Sequence, residues 1–248
     1  MFLRFFAITN IGLKRNNNED LAIIQNDIVT ESQMLTAYSV DTDSPIVVAV
    51  ADGMGGQNGG EVASRLIIES LMIWRHTLPN DADFKTTKKS ITDFTKETHR
   101  FIQKKAQETP DLYGMGSTLI SMVWTKKTTI FVNIGDSRLY LFRDKWLKQI
   151  SNDHSMRNLT HNPDTPSNLI YNSLGSGETS FADISDITTT VKEDDIYLLC
   201  SDGLSDMISD NEIETILRKG PSATNLLHAA INAGGRDNIT IILIQVKK

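Results

Sequence analysis

A single cysteine, Cys200, stands among 248 residues, so no internal disulfide framework can form. No apolar run approaches the ~18 to 20 residues that a membrane-spanning helix needs. The opening Met1-Phe2-Leu3-Arg4-Phe5-Phe6-Ala7-Ile8 is too short for the apolar core of a secretion signal and carries Arg4 inside it, so it reads as a first strand. Basic residues are in deficit: 25 Lys and Arg against 31 Asp and Glu leave a formal charge of −6, which argues against nucleic acid as the main partner. Proline is sparse, at 6, and no Pro/Gly/Ser-rich linker or low-complexity stretch divides the chain, so a single domain over 1–248 is expected. Hydrophobic residues, at 40%, suffice for a sizeable core. Together these absences point to a reducing, cytoplasmic home, no membrane partner and a monomer.

What is present is dominated by short strands. Phe2 to Thr9, Leu21 to Gln25, Ile46 to Ala51, Ser117 to Thr125, Thr128 to Ile134, Arg138 to Arg143, Ile187 to Val191, Asp195 to Cys200 and Ile239 to Val246 are rich in β-branched or aromatic residues and bounded by turn formers. Glu61 to His76 and Phe84 to Lys105 repeat apolar residues at helical spacing, and Ser222 to Asn232 forms a third helix behind Gly220-Pro221. Long helices in pairs beside many consecutive strands favour an α+β fold, with helices packed outside two stacked sheets, over a parallel barrel.

Five short acidic motifs are spread along that pattern: Asn18-Glu19-Asp20, Asp52-Gly53-Met54-Gly55-Gly56, Gly135-Asp136-Ser137-Arg138, Ser201-Asp202-Gly203-Leu204-Ser205-Asp206 and Arg236-Asp237-Asn238. Asp52, Asp136 and Asp202 each follow an apolar strand, where a carboxylate is costly unless a cation answers it. Singly, an Asp-Gly pair is a turn and Gly-Asp-Ser-Arg a plain hairpin. As a set, oxygen ligands without paired His or Cys point to magnesium or manganese and away from zinc. Glu19 and Asp20 open a strand and face opposite ways, so only one is expected to be a direct ligand.

The order of the motifs resembles the metal-dependent protein phosphatases, the type 2C serine/threonine family, and its bacterial branch by the methionine of Asp52-Gly53-Met54-Gly55-Gly56. The match also takes in Thr9-Asn10-Ile11-Gly12, Gly60-Glu61-Val62-Ala63-Ser64, Gly114-Met115-Gly116-Ser117-Thr118, Asp153-His154-Ser155 and Ser173-Leu174-Gly175. The resemblance implies a four-layer α-β-β-α sandwich of two mainly antiparallel sheets. It implies two core ions, manganese or magnesium: Asp52 bridging both, Asp202 and Asp237 completing one site, Glu19 and the Gly53 carbonyl the other. Asp20 would hold a metal-bound water, Asp136 and Asp206 a third, weaker ion, and Arg15 the substrate phosphate. The implied reaction is in-line attack by a metal-bridging water on phosphoserine or phosphothreonine of protein substrates, opposing a serine/threonine kinase. Some family members carry a histidine general acid where this chain has Met54, so that donor is absent.

His154 reads as a structural residue fixing a turn, and Cys200 as a core residue, since a thiol phosphatase loop would need arginine where Asp206 stands. The stretch between Asp153 and Leu174 is short for the flap that bacterial relatives carry. The polar segment from Asn26 to Pro45 reads as a compensating loop or a solvated hairpin. Two alternatives stay open: a pseudophosphatase acting as a binding module, and a metal-dependent hydrolase of a small phosphorylated metabolite.

Overall fold

A computed structural model describes residues 1–41, 43–55, 59–162, 164–166 and 169–247. In chain order the first strands are β1 (Phe2–Asn10), β2 (Asp20–Ile24), β3 (Asp27–Val29), β4 (Gln33–Ser39) and β5 (Ile46–Met54). After helices α1 (Gly59–Thr77) and α2 (Phe84–Glu108) come β6 (Gly116–Ser117), β7 (Leu119–Trp124), β8 (Thr129–Ile134), β9 (Arg138–Arg143) and β10 (Trp146–Gln149). The short α3 (Met156–Thr160) leads to β11 (Asp183–Asp186) and β12 (Ile196–Cys200), then α4 (Asp202–Ser205), α5 (Asp210–Lys219), α6 (Ala223–Asn232) and β13 (Ile239–Lys247).

Among the described residues the strands form two sheets. One runs β10-β9-β12-β13-β1-β4, the other β11-β8-β7-β5-β2-β3 with β6 beside β5. Neighbouring strands pair antiparallel. Period-two alternation decides which side of each strand goes where. Along β5, Ile46, Val48 and Val50 face the other sheet, while Val47, Ala49 and Ala51 face α1 and α2. Along β13, Ile242, Ile244 and Val246 face inward between the sheets, and Ile239, Ile241 and Leu243 pack with Leu226, Leu227 and Ala230 of α6. Strands buried on both faces read as unbroken apolar runs. Three apolar layers therefore separate four structural ones, giving the α-β-β-α sandwich expected.

Two expectations change. Ile187 to Val191 is a turn, closed by Val191 N–H donating to the Ile187 carbonyl at 3.2 Å; the strand is Asp183–Asp186, pairing with β8. The β-branched residues that suggested a strand are instead partly buried anchors against the inter-sheet core. The segment from Asn26 to Pro45 is neither a loop over the site nor a free hairpin. Its first part pairs with β2 and its second, β4, pairs with β1, so it supplies an edge to each sheet. Arg75 of α1, 3% exposed, holds the returns of this segment by donating to Gln25 Oε1 (3.0 Å), Asn26 Oδ1 (2.6 Å) and the Pro45 carbonyl (3.2 Å).

Candidate active site

The acids arrive at one end of the sandwich because the strands that carry them end there. Asp20 opens β2 directly opposite Asp52 on β5 in the ladder. Gly53 lets β5 pass under the start of α1: a Cβ there would stand 2.1 Å from the Gly60 carbonyl oxygen. Asp202 begins α4 straight after β12, and Asp237 precedes β13. Gly203 allows the same close approach, since its Cβ would lie 1.8 Å from the Asn238 carbonyl oxygen.

Hydrogen bonds fix these ends to one another. Asp52 N–H donates to Thr118 Oγ1 at 3.1 Å, and Thr118 Oγ1 lies 2.7 Å from Ser137 Oγ, beside Asp136. Asn238 accepts from Glu19 N–H (2.8 Å) and donates to the carbonyls of Ile11 (3.0 Å) and Asn17 (2.9 Å), holding the loop from Gly12 to Glu19 against β13. Ser201 Oγ donates to Asp20 Oδ2 at 2.7 Å and accepts from Thr240 N–H at 3.0 Å.

The outcome is a cavity of about 270 Å³ lined by Arg15, Glu19, Asp52, Gly53, Asp136, Asp202 and Asp237, with Met54, Gly55, Thr118 and Ile170 completing its wall. Asp206 lies outside it, in an adjoining cavity that shares Asp202 and Asp237. Asp20 faces the interior, 1% exposed, behind Asp52. Gly56 lies outside the described residues. Arg15 Nη2 donates to Asp237 Oδ2 at 2.5 Å. Among the described residues no three His, Cys, Asp or Glu side chains are gathered into a ready-made cage for an ion; the carboxylates stand around a shared space.

Burial and mutual repulsion push the carboxyls of Glu19, Asp20, Asp52, Asp136 and Asp202 up. Asp136 rises to about 8, first through burial and then through Asp202 and Asp153. Asp52 rises well above its ordinary value through burial and then Asp20, Asp202, Asp136 and Asp237. Asp202 also rises, by burial and by Asp237 and Asp206, against a hydrogen bond with Asp52 that lowers it. Glu19 and Asp20 move in the same direction, with burial as the leading cause. A charge deficit of this kind is what a divalent cation relieves.

His154 is 2% exposed; its Nδ1 accepts from Gly135 N–H at 3.1 Å while Nε2 meets Asp183 Oδ2 at 3.2 Å. It clamps the Asp136 turn to β11 and lies outside the cavity lining. Cys200 is 0% exposed inside β12, and burial pushes its thiol up to about 12, so it is neutral and enclosed. Among the described residues, the short segment after Asp153 contains α3 and a bridge pairing Ser155 with Ile170, which brings Ile170 to the cavity wall. Asn238, Thr118 and Ile170 escaped the sequence reading as individual site residues. Asn238 and Thr118 lie within the acidic and glycine-rich motifs, and Ile170 carries no local signal.

The family model described as "Protein phosphatase 2C" matches residues 30–230. The serine/threonine phosphatase stp of Listeria welshimeri is 31% identical over 258 residues, covering 96% of this chain and 93% of that one. Among solved structures, the S. agalactiae serine/threonine phosphatase aligns with a TM-score of 0.84 at 24% identity over 99% of this chain and 100% of that one, a likeness of fold. The catalytic domain of the serine/threonine protein phosphatase PstP, in complex with two manganese ions, aligns with a TM-score of 0.76 at 31% identity over the whole of both chains, 100% and 100%. The family match and these relatives show a phosphoric monoester hydrolase. The chain belongs to the protein phosphatase 2C family. Its activity is that of a serine/threonine protein phosphatase, with phosphorylated proteins as substrates.

Proposed function

We propose that the cavity lined by Glu19, Asp52, Asp136, Asp202 and Asp237 is a divalent-cation site, manganese or magnesium, at which phosphoserine and phosphothreonine are hydrolysed. The observation that carries this reading is the meeting of five acids from five separate segments around one space, with a single arginine, Arg15, at its edge. The donor set fits hard cations: it is all oxygen, and the carboxyls of Asp52 and Asp136 are raised by burial and by the acids around them. Asp52, Asp202 and Asp237 would hold one ion, and Asp52, Glu19 and the Gly53 carbonyl a second. Asp136 and Asp206, which line a small cavity of about 50 Å³ together with Asp202, would take a weaker third. The PstP catalytic domain, with its two manganese ions, supports the pair. Such ions supply a nucleophilic water at neutral pH and neutralise phosphate oxygens.

The chain's own residues do the rest. Arg15 is the cationic side chain in the cavity, and its planar fork matches two phosphate oxygens. Asp20, accepting a hydrogen bond from Ser201 Oγ at 2.7 Å, backs Asp52 at the floor of the cavity, where it would hold a metal-bound water. Cys200 takes no part. We place the protein as one catalytic domain in the cytoplasm, opposing a serine/threonine kinase in signalling; its lone, enclosed thiol suits a reducing compartment, and among the described residues no helix is long and apolar enough to cross a membrane. Calorimetric titration of chelator-treated protein with manganese tests the site. Two strong ions are expected, with both lost or weakened in Asp52→Asn and one in Asp237→Asn; unchanged binding in both variants would remove these residues from it.

A further inference from the structure

The catalytic cavity has a neighbour. On the far side of the wall made by Asp202 and Asp237 lies a second cavity of about 490 Å³, lined on its other faces by Arg138, Arg157, Arg236 and Asp206. Three arginines in one recess are unusual on a chain carrying −6, and they are not equivalent. Arg138 is committed, with its guanidinium donating to both oxygens of Asp153 at 2.7 to 3.1 Å. Arg157 uses only Nε, donating to the Thr165 carbonyl at 2.8 Å, and this tethers the stem while both terminal amino groups stay available. Arg236 follows Gly235, in a turn stitched down by Gly235 N–H donating to the Ala230 carbonyl (3.0 Å) and by the hydrogen bonds of Asn238. Among the described residues neither Arg157 nor Arg236 forms an ion pair.

The opposing charges decide what this recess can hold. Asp237 is answered by Arg15, and Asp202 faces the catalytic cavity as well, where it is assigned to a cation. Asp136 and Asp206, which line a smaller cavity with Arg157, are assigned to the weaker third cation, and Asp153 there is paired with Arg138, so Arg157 and Arg236 bring a local surplus of positive charge beside the point where a phosphate monoester is cleaved. Guanidinium groups bind phosphate through paired, charge-assisted hydrogen bonds.

We propose that Arg157 and Arg236 form a second anion subsite, which takes a second phosphate of a multiply phosphorylated protein segment while the first lies beside Arg15. The proposal rests on the catalytic reading of the adjoining cavity. It makes the enzyme selective for clustered phosphorylation, and the selectivity is expressed in KM because the subsite lies away from the bond that breaks.

The test uses the full chain with manganese and a set of phosphothreonine peptides. One has neutral flanks, others carry a phosphoserine at each successive neighbouring position, and matched peptides carry glutamate there. Because a strand advances ~3.3 Å per residue, one spacing should fit and its neighbours should not. At that spacing the second phosphate is expected to raise kcat/KM about fivefold to tenfold, through KM, with glutamate giving less. Arg157→Ala and Arg236→Ala should each reduce the gain and the double variant abolish it, with turnover of the neutral-flank peptide unchanged. No gain at any spacing, an equal gain from glutamate, or a gain that survives in the double variant would each overturn the subsite. Failure of the wild-type protein to turn over even the neutral-flank peptide would instead overturn the catalytic reading.

Discussion

Arg15 and Asp237, 222 residues apart in the chain, meet at 2.5 Å across the mouth of the acidic cavity. Asp237 sets the position of this guanidinium, which the proposed function assigns to the substrate phosphate. A charge-assisted contact is worth ~1.5 to 3 kcal/mol, so Arg15→Ala should lower kcat/KM on a phosphothreonine peptide roughly 10- to 150-fold. Arg15→Lys should recover part of this, because one ammonium lacks the planar fork. Steady-state kinetics with manganese titrated for each variant checks it; wild-type kcat/KM in Arg15→Ala would take Arg15 out of the site.

Cys200 gives a prediction of the opposite kind. Enclosed and neutral, it can be changed without touching the chemistry. Cys200→Ser should keep kcat while losing about 1 to 3 kcal/mol of stability for a buried hydroxyl in an apolar layer. Thermal melts and turnover on the same samples separate the two effects, and loss of kcat with intact fold would implicate the thiol.

The raised carboxyls give a pH dependence whose sign follows from linkage. Asp136 ionises near 8 in the folded protein against an ordinary value of 3.8, so the folded state holds a proton that the unfolded state has released. Its contribution is fully present below the unfolded value and is lost as pH rises through the folded one. Chelator-treated protein should therefore lose Tm between about pH 4 and about pH 8, and manganese should restore more Tm at the alkaline end. A Tm rising with pH over that window in chelator would contradict the electrostatics. Asp136→Asn should flatten the slope.

Asn238 is the positioning residue of the Arg15 to Glu19 loop. It is 4% exposed, and its side chain satisfies one N–H and two carbonyls. Asn238→Ala leaves those groups unpaired and should cost about 2 to 4 kcal/mol, with a higher manganese requirement because Glu19 is no longer held. Asn238→Asp keeps the acceptor for Glu19 but sets a buried carboxylate oxygen against the Ile11 and Asn17 carbonyls, so it should cost at least as much stability as Asn238→Ala. Chemical denaturation and manganese titration of the three proteins test the order.

Much of this was legible beforehand because the signals were local. Apolar runs such as Val47 to Ala51 and Ile239 to Val246 announce strands buried on both faces, and an acid stands at the cavity end of each, Asp52 just after the first and Asp237 just before the second. The segment from Asn26 to Pro45 was not legible. Its strand β4 pairs with β1, some thirty residues away, and its alternating half-exposed residues carry no core signature. Ile187 to Val191 failed for the converse reason: β-branched residues entered the core from a turn. Arg157 and Arg236 share a cavity across about eighty residues, and no spacing along the chain brings them together before the fold does.

Release of inorganic phosphate from a phosphothreonine peptide by chelator-stripped protein, with manganese added back stepwise, tests the central claim most directly. The account predicts no turnover without the ion, turnover restored by manganese in the wild type, and none at any manganese concentration in Asp52→Asn or Asp202→Asn proteins whose circular dichroism remains that of the folded chain. Full turnover in excess chelator, or wild-type turnover in either variant, would contradict it.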